Sequence, residues 1–332
     1  MVWRGLKGSG GNAAIATLVL VASIALPVAA AARGQTGGKQ QERAAKPLVS
    51  PAAEAAIHQI YAGDPAAGIT AARAIETRER DQPLGYLVEA EARWWQLYCR
   101  NSEIRYGMVD VWQLNHGPEE RAYRDAARKA VELAEAQLAK KQTAEAELWA
   151  GMGYAFEARL DGLLGKKLDT ARSGVQARTH LLKALELDPQ LADADTGLGL
   201  YNYYVDTLSP IVKLLRFFLG IPGGSKKEGM RQLRTAMEHG QITGVEARFY
   251  LAKNLRTYDH DYAEALRVAE PLVREFPRNP IFLLLVANLE IELGRREQAE
   301  ETLSRIAKLK IADEACAARA EQMGKQLLAP QP

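Results

Sequence analysis

Small and apolar residues recur near the C-terminus at a spacing that places them on one face of a helix. Ala265, Ala269 and Leu272 step by four and then three positions, and the same steps recur one period later from Ala299. Steps of three and four mark one side of an α-helix. A period of about 34 residues that contains two helices is typical of stacked helix hairpins.

The same periodicity, with turns marked by Gly and Pro, predicts helices along most of the chain. No segment shows a clear two-residue alternation, so no strand is expected. The predicted fold is therefore all-α: a right-handed α-α superhelix of about six helix hairpins plus a C-terminal capping helix. The thirteen predicted helices cover residues 53–62, 65–79, 84–100, 118–140, 143–164, 171–187, 190–206, 225–239, 243–257, 260–275, 279–293, 295–308 and 312–328.

Two segments interrupt this pattern. Pro189 and Pro277 both follow helices of the array, but their separation exceeds two full periods. The excess equals the length of the segment 205–224, which lies between the two prolines and is therefore interpreted as an insertion. A second irregular stretch covers 102–117. The repeats are clearest over 170–308.

The N-terminal end differs from the rest of the chain. Arg4 and Lys7 precede an uncharged, mostly apolar stretch at 13–32 that ends in small residues. This layout is typical of a secretory signal peptide, cleaved after Ala31 or Ala32. The alternative is an uncleaved membrane anchor, because about 20 apolar residues can span a bilayer.

The chain is thus predicted to consist of a signal peptide (1–32), a polar flexible linker (33–50) and a helical repeat domain (51–328). Export to a bacterial periplasm or envelope follows from the signal peptide. The chain has 43 basic and 41 acidic residues. Arg4 and Lys7 are the charged residues of the segment 1–32, so the remainder of the chain is balanced. Such a balance gives no long-range attraction for nucleic acid.

The two cysteines, Cys99 and Cys316, are predicted to be thiols. They lie near opposite ends of the expected elongated array, where an internal bridge would be too long. An exported disulfide scaffold would also carry more cysteines in a shorter chain. An intermolecular bridge is the alternative.

The concave face of the array is the candidate binding site, because stacked hairpins create a long groove lined by the first helix of each pair. Asn side chains one repeat apart can both donate to and accept from an extended peptide backbone. A basic side chain there can hold a carboxylate. The alternative is that these are solvated helix positions. The predicted peptide-binding residues are Arg248, Tyr250, Lys253, Asn254 and Asn288.

The insertion contains an apolar segment, 208–222, that is too short to cross a bilayer. It either packs on a neighbouring hairpin or contacts a membrane surface or a partner. The residues predicted for the second role are Lys213, Arg216, Phe217 and Phe218.

No motif for catalysis or metal binding is found. The five histidines are scattered without metal-ligand spacing, and no G-x-S-x-G motif exists. The glycines at 220–227 lack the spacing of a phosphate-binding loop. We therefore predict no catalytic residue, no metal and no cofactor. The alternative is an enzyme whose pocket is walled by 102–117 and 205–224. The oligomeric state stays open.

Three segments resemble the tetratricopeptide repeat superfamily: ALELDP at 184–189, DYAEALRVAEPLVREFPRNP at 261–280 and LGRREQAEETLSRI at 293–306. This resemblance implies a scaffold or adaptor that binds a protein or peptide. The segment LLRFFLGIPGGSKKEGMRQL at 214–233 is also similar to the corresponding stretch of the eukaryotic inclusion-body-clearance family of repeat proteins. That likeness is local and implies the same architecture.

Overall fold

The computed structural model describes residues 48–105, 108–111, 117–208, 213 and 220–329. The proposed signal peptide and most of the linker lie outside these residues. The described part contains thirteen α-helices, which confirms the all-α fold. They are α1 (Pro51–Tyr61), α2 (Pro65–Arg78), α3 (Pro83–Asn101), α4 (Pro118–Leu138), α5 (Ala144–Leu163), α6 (Lys167–Leu187), α7 (Ala194–Thr207), α8 (Lys226–His239), α9 (Gly244–Asn254), α10 (Tyr262–Glu275), α11 (Pro280–Glu292), α12 (Arg296–Ala307) and α13 (Glu314–Leu328).

Short polar side chains fix where many of these helices begin. Ser50, Asp64, Thr143 and Asp313 each accept a hydrogen bond from a backbone N–H in the first turn of the helix that follows. Such caps satisfy N–H groups that have no partner inside the helix. None of the helices in the described part has the combination of length and apolar character needed to cross a membrane.

Each helix packs on the next along the chain, as expected for stacked hairpins. Small residues allow the closest approaches. Ala265 and Ala299 are fully buried. A Cβ atom placed on Gly199 would lie 2.9 Å from the carbonyl oxygen of Gly229, so a larger residue would force α7 and α8 apart.

The array closes on itself, because its N-terminal helices pack against its C-terminal repeats. His58 of α1 lies 5.4 Å from Phe276, measured between ring centroids. Trp95 of α3 contacts Phe249 of α9 and Phe282 of α11 edge-on, at 5.1 and 5.4 Å. These aromatic contacts place α1 and α3 against the inner face of the C-terminal hairpins.

The closure corrects the prediction for the cysteines. Cys99 in α3 and Cys316 in α13 form a disulfide, with Cα atoms 5.1 Å apart across 217 residues of sequence. The prediction of two separate thiols assumed an extended rod. In a closed array the two ends of the chain are neighbours.

The irregular stretch after α3 contains a short β-hairpin, which also corrects the expectation of no strand. Strand β1 (Ser102–Arg105) pairs antiparallel with β2 (Met108–Val111), and Ser102 lies opposite Val111. Strands this short show no clear alternation in sequence. The hairpin packs against α3, α11 and α13.

Asn279 joins the two ends of the array, and we expect its substitution by Ala to lower the free energy of unfolding by about 2–4 kcal/mol. Its Oδ1 accepts from the N–H groups of Ile281 and Phe282, which caps α11. Its Nδ2 donates to the carbonyl of Tyr61 at the end of α1, 2.9 Å away. The substitution leaves both sets of buried groups unsatisfied. Urea unfolding measures the loss.

Ser225→Ala is the control, because Ser225 also caps a helix but lies at an exposed end with a longer hydrogen bond of 3.4 Å. We expect this variant to lose only about 0.5–1 kcal/mol. Equal losses in the two variants would contradict the bridging role of Asn279.

Candidate functional site

Two of the predicted peptide-binding residues lie one repeat apart in the sequence, and both are buried. Asn254 ends α9 and Asn288 lies in α11, and each is 1% exposed. The Oδ1 of Asn254 accepts from the hydroxyl of Tyr204 at 3.1 Å, and that of Asn288 accepts from Nε of Arg256 at 2.8 Å. The Nδ2 atoms of both amides are buried and have no acceptor among the described residues. Two amide –NH2 groups are therefore left without hydrogen bonds.

The other three predicted residues do not join them. Tyr250 lies in the aromatic core, 6% exposed. Lys253 is also buried, with Nζ 5.8 Å from the ring centroid of Tyr250. Arg248 is half-buried, and the carboxylates that act on it most are those of Glu275 and Glu238. Since Arg248 and Asn254 lie on different sides of α9, one ligand would not contact all five residues in this arrangement.

The inner face is covered, whereas the sequence predicted a groove open to solvent. An external peptide would reach Asn254 or Asn288 only after the groups that cover them move aside. Asn254 contacts Tyr203 and Tyr204 of α7, whose hydroxyls donate to its carbonyl and its Oδ1, and Asn288 contacts Arg256.

A buried ionic cluster that the sequence analysis did not predict lies at the centre of the molecule. Arg159 of α5 forms salt bridges with Glu91 of α3 at 3.0 Å and with Glu246 of α9 at 2.6 Å. Its Nε donates to the hydroxyl of Tyr123 in α4, 3.1 Å away. We refer to these four residues as the Arg159 cluster. It connects four helices from both halves of the array.

The surroundings of the Arg159 cluster are apolar and closely packed. The guanidinium carbon lies 4.1 Å from the ring centroid of Trp94 and 4.6 Å from that of Phe156. Glu91 also accepts hydrogen bonds from Trp95 and Tyr61 at 2.6 and 3.2 Å. The adjacent cavity, lined in part by Glu91 and Glu246, has a volume of about 10 Å³. That space holds about one water molecule and no larger substrate.

A sequence signal for this cluster does exist. Glu91 lies one helical turn after Leu87 and one turn before Trp94 and Trp95, so it occupies the apolar face of α3. A charged residue at such a position is buried and needs a partner. The identity of that partner cannot be read from the sequence, because Arg159 is 68 residues away.

The cluster predicts that stability falls as the pH rises. Burial, and secondarily the charge of Glu91, raise the pKa of Glu246 from 4.5 to about 8. Between these values the folded protein keeps a proton that the unfolded chain releases, so the free energy of unfolding decreases with pH. The contribution of Glu246 to the free energy of unfolding is complete below pH 4.5 and is lost as the pH rises through 8. Its upper bound is about 5 kcal/mol. Urea unfolding from about pH 5 to 9 measures it.

Glu246→Gln is the matched variant, because it keeps the shape of the side chain and removes the titrating group. We expect a clearly smaller decrease over the same pH range. Some decrease remains, since burial and the charge of Glu89 raise the pKa of Glu76 to about 7. Identical pH profiles for the two proteins would contradict the assignment to Glu246.

A five-residue π-helical turn, Leu255–Asp259, follows α9 directly. His260 follows it in the left-handed region, with φ 54°. The turn positions Asp259 to accept from the hydroxyl of Tyr203 at 2.8 Å and to pair with Lys226 at the start of α8. These contacts attach the first described helix after the insertion to the end of α9.

The residues predicted for membrane or partner contact are only partly described. Lys213 pairs with Asp206 of α7 at 3.0 Å. Arg216, Phe217 and Phe218 lie outside the described residues.

Among the histidines that the structure describes, His180 of α6 has the most polar contacts. It lies 2.7 Å from Glu147 and 3.3 Å from Glu135, and it stacks on Tyr154. Nowhere in the described ranges do three or more His, Cys, Asp or Glu side chains gather in a way that could hold a metal ion. The histidine contacts join α4, α5 and α6.

The comparison with known families agrees with this architecture. Residues 257–320 match the family model described as tetratricopeptide repeat. The chain contains tetratricopeptide repeats. The match begins in the π-helical turn and extends through α10, α11 and α12 into α13. Upstream of the match, the helices stack in the same consecutive manner. Tetratricopeptide repeats generally mediate protein–protein interactions.

Proposed function

We propose that this protein is an exported tetratricopeptide-repeat adaptor, which binds a protein or peptide partner and performs no chemistry itself. The observation that carries the proposal is the repeat array, with its match at 257–320. The Arg159 cluster supports it as well. Its ionisable groups bond to one another, and the adjacent space of about 10 Å³ suits water and not a substrate.

We propose that the partner binds at the amides of Asn254 and Asn288, which are 1% exposed in this structure and which a partner reaches once the residues that cover them move aside. A buried N–H group without an acceptor costs about 1–3 kcal/mol. A backbone carbonyl of a partner would remove that cost at both amides. The spacing of one repeat suits an extended segment, whose carbonyls recur at regular intervals.

A binding experiment tests this surface. The tagged protein and its Asn254→Ala/Asn288→Ala variant are used to recover partners from a native envelope fraction. We expect the variant to lose a partner that the unchanged protein recovers. Asn202→Ala is the control, because the amide of Asn202 already donates to Gln232 at 2.8 Å. Thermal unfolding of all three proteins separates lost binding from lost folding. Equal recovery by all three would contradict the assignment.

Export is the second part of the proposal. The segment 1–32 has the layout of a signal peptide. The Cys99–Cys316 disulfide supports an oxidising compartment, because such bonds persist outside the reducing cytosol. Cell fractionation and intact mass test it. We expect an envelope protein that begins at Ala32 or Arg33. A full-length chain in the cytosol would contradict export.

A further inference from the structure

Arg256, in the π-helical turn Leu255–Asp259, lies on the buried amide of Asn288. Its Nε donates to Oδ1 of Asn288 at 2.8 Å, and its Nη2 pairs with Glu292, one helical turn further along α11, at 2.6 Å. The guanidinium carbon lies 5.8 Å from the ring centroid of Tyr262. Arg256 is 4% exposed. Because Arg256 belongs to the turn, a displacement of the turn also displaces the side chain that covers this amide.

The same turn contacts the tyrosines that hold the second amide, that of Asn254. The ring centroid of Tyr258 lies 5.6 Å from that of Tyr203 and 6.3 Å from that of Tyr204, both in edge-on contacts. The hydroxyl of Tyr204 donates to Oδ1 of Asn254 at 3.1 Å, and that of Tyr203 donates to its carbonyl at 3.3 Å. Through Arg256 and Tyr258, one segment of five residues therefore contacts the surroundings of both amides.

The backbone of the turn is a less favourable form than the α-helices on either side. The N–H of His260 bonds to the carbonyl of Leu255, five residues earlier, and single turns of this kind are frequent at functional sites. His260 has φ 54°, which costs free energy for a residue with a side chain. Asp261 caps α10 by accepting from the N–H of Glu264 at 3.1 Å. A rearrangement of the turn therefore leaves the cap of α10 intact.

Asp259 fastens the end of the turn to the neighbouring helices. Its Oδ2 accepts from the hydroxyl of Tyr203 at 2.8 Å, and its Oδ1 pairs with Nζ of Lys226 at the start of α8. We refer to these three residues as the Asp259 latch. The side chains of Asp259 and Lys226 are 24% and 30% exposed, and ion pairs with such access to water contribute modestly to stability. A latch of this strength holds the turn closed and permits local opening.

We propose that the turn 255–259 is a lid over the amides of Asn254 and Asn288, and that it opens to a partner when the Asp259 latch breaks. The inference rests on the proposed function, since it takes these amides as the partner's binding site. It explains how two amides that are 1% exposed can contact another molecule. When only the open form binds, the apparent affinity is reduced by the fraction of protein that is open.

Weakening the latch tests the lid in the free protein, without any partner. Asp259→Asn removes the ion pair with Lys226, and Asp259→Ala also removes the acceptor for Tyr203. Hydrogen exchange of the backbone amides of residues 255–262, followed by mass spectrometry, should become about fivefold faster in the first variant and more than about tenfold faster in the second. Lys226→Met should match Asp259→Asn, and combining the two should add little, because both remove the same interaction.

Asn288→Cys, introduced into every protein compared, reports whether opening of the turn gives access to the amide site. Iodoacetamide modifies this thiol only when it reaches position 288, whereas Cys99 and Cys316 are joined in the disulfide and do not react. The latch variants should raise the modification rate by the same factors as the exchange rate. An unchanged modification rate would overturn the lid even if the turn exchanged faster, and so would unchanged exchange.

Asp261→Asn is the matched control. It makes the same chemical change two residues away, and Asn caps a helix about as well as Asp, so both rates should stay unchanged. An acceleration as large as that of Asp259→Asn would overturn the role of the latch. The recovery of partners separates this proposal from the proposed function. Recovery that does not depend on Asn254 and Asn288 contradicts binding at the amides, whereas an unchanged modification rate contradicts the lid alone.

Discussion

Arg159→Met is expected to lower the free energy of unfolding by about 3–5 kcal/mol, which corresponds to a fall in Tm of at least about 6 °C. The substitution keeps an unbranched apolar chain between Trp94 and Phe156 and removes only the charge and its donors. Glu91, whose side chain is 10% exposed, then loses its cation, and Glu246, 6% exposed and protonated at neutral pH because burial raises its pKa to about 8, loses a hydrogen-bond donor. A buried carboxylate without a partner is costly. Urea and thermal unfolding measure the loss.

Introducing Arg159→Met into two different proteins shows whether the loss of stability comes from the missing charge or from the changed packing. In a chain that also carries Glu91→Gln and Glu246→Gln, the arginine has no carboxylate to neutralise. There we expect Arg159→Met to cost much less, because an apolar replacement of a complete ionic cluster is often neutral. Equal losses in both backgrounds would mean that packing, and not charge compensation, explains the effect. Arg172→Met, at a side chain 75% exposed, is the surface control.

The helices were predictable from the sequence because their signals are local. Caps such as Ser50 and Asp64 and the prolines after them mark where α1 and α2 begin. The steps of three and four from Ala265 identify the buried face of α10 without any tertiary information. Stacking then follows, since no single hairpin can bury its own apolar face.

The closure of the array was not predictable in the same way. It depends on Asn279 meeting the carbonyl of Tyr61 and on Trp95 meeting Phe282, contacts between residues from opposite ends of the array. Sequence periodicity fixes how each hairpin packs on the next, but small differences in rotation accumulate along the array. Whether the two ends of the array meet depends on the total rotation accumulated over all hairpins.

The predicted binding residues also show that periodicity does not reveal contacts between distant parts of the chain. The one-repeat spacing of Asn254 and Asn288 predicts equivalent positions in successive hairpins, and both side chains are buried. It did not reveal that Tyr204 and Arg256 would contact these buried amides, or that Arg248 would lie apart with Glu238 and Glu275. A repeat pattern indicates which residues share a face. It does not indicate what else the chain packs against that face.

The disulfide is expected to hold this closure, so that removing it lowers the free energy of unfolding by about 2–5 kcal/mol. Cys99 and Cys316 close a loop of 217 residues, and the loss of entropy in the unfolded chain grows with loop length. The bond fastens α13 to α3, next to the contact between Arg100 and Asp313 at 2.6 Å. Thermal unfolding with and without a reducing agent measures the effect.

The Cys99→Ala/Cys316→Ala variant separates the bond from other effects of the reducing agent. With or without the reducing agent, the variant should have the low Tm of the reduced protein. The unchanged protein should show that low Tm only when it is reduced. Both cysteines are buried, at 4% and 7% exposure, so reduction of the folded protein should be slow and should speed up under mild denaturation. If the variant were as stable as the oxidised protein, closure would depend on the aromatic and Asn279 contacts alone. The Asn279→Ala loss would then be unchanged by reduction.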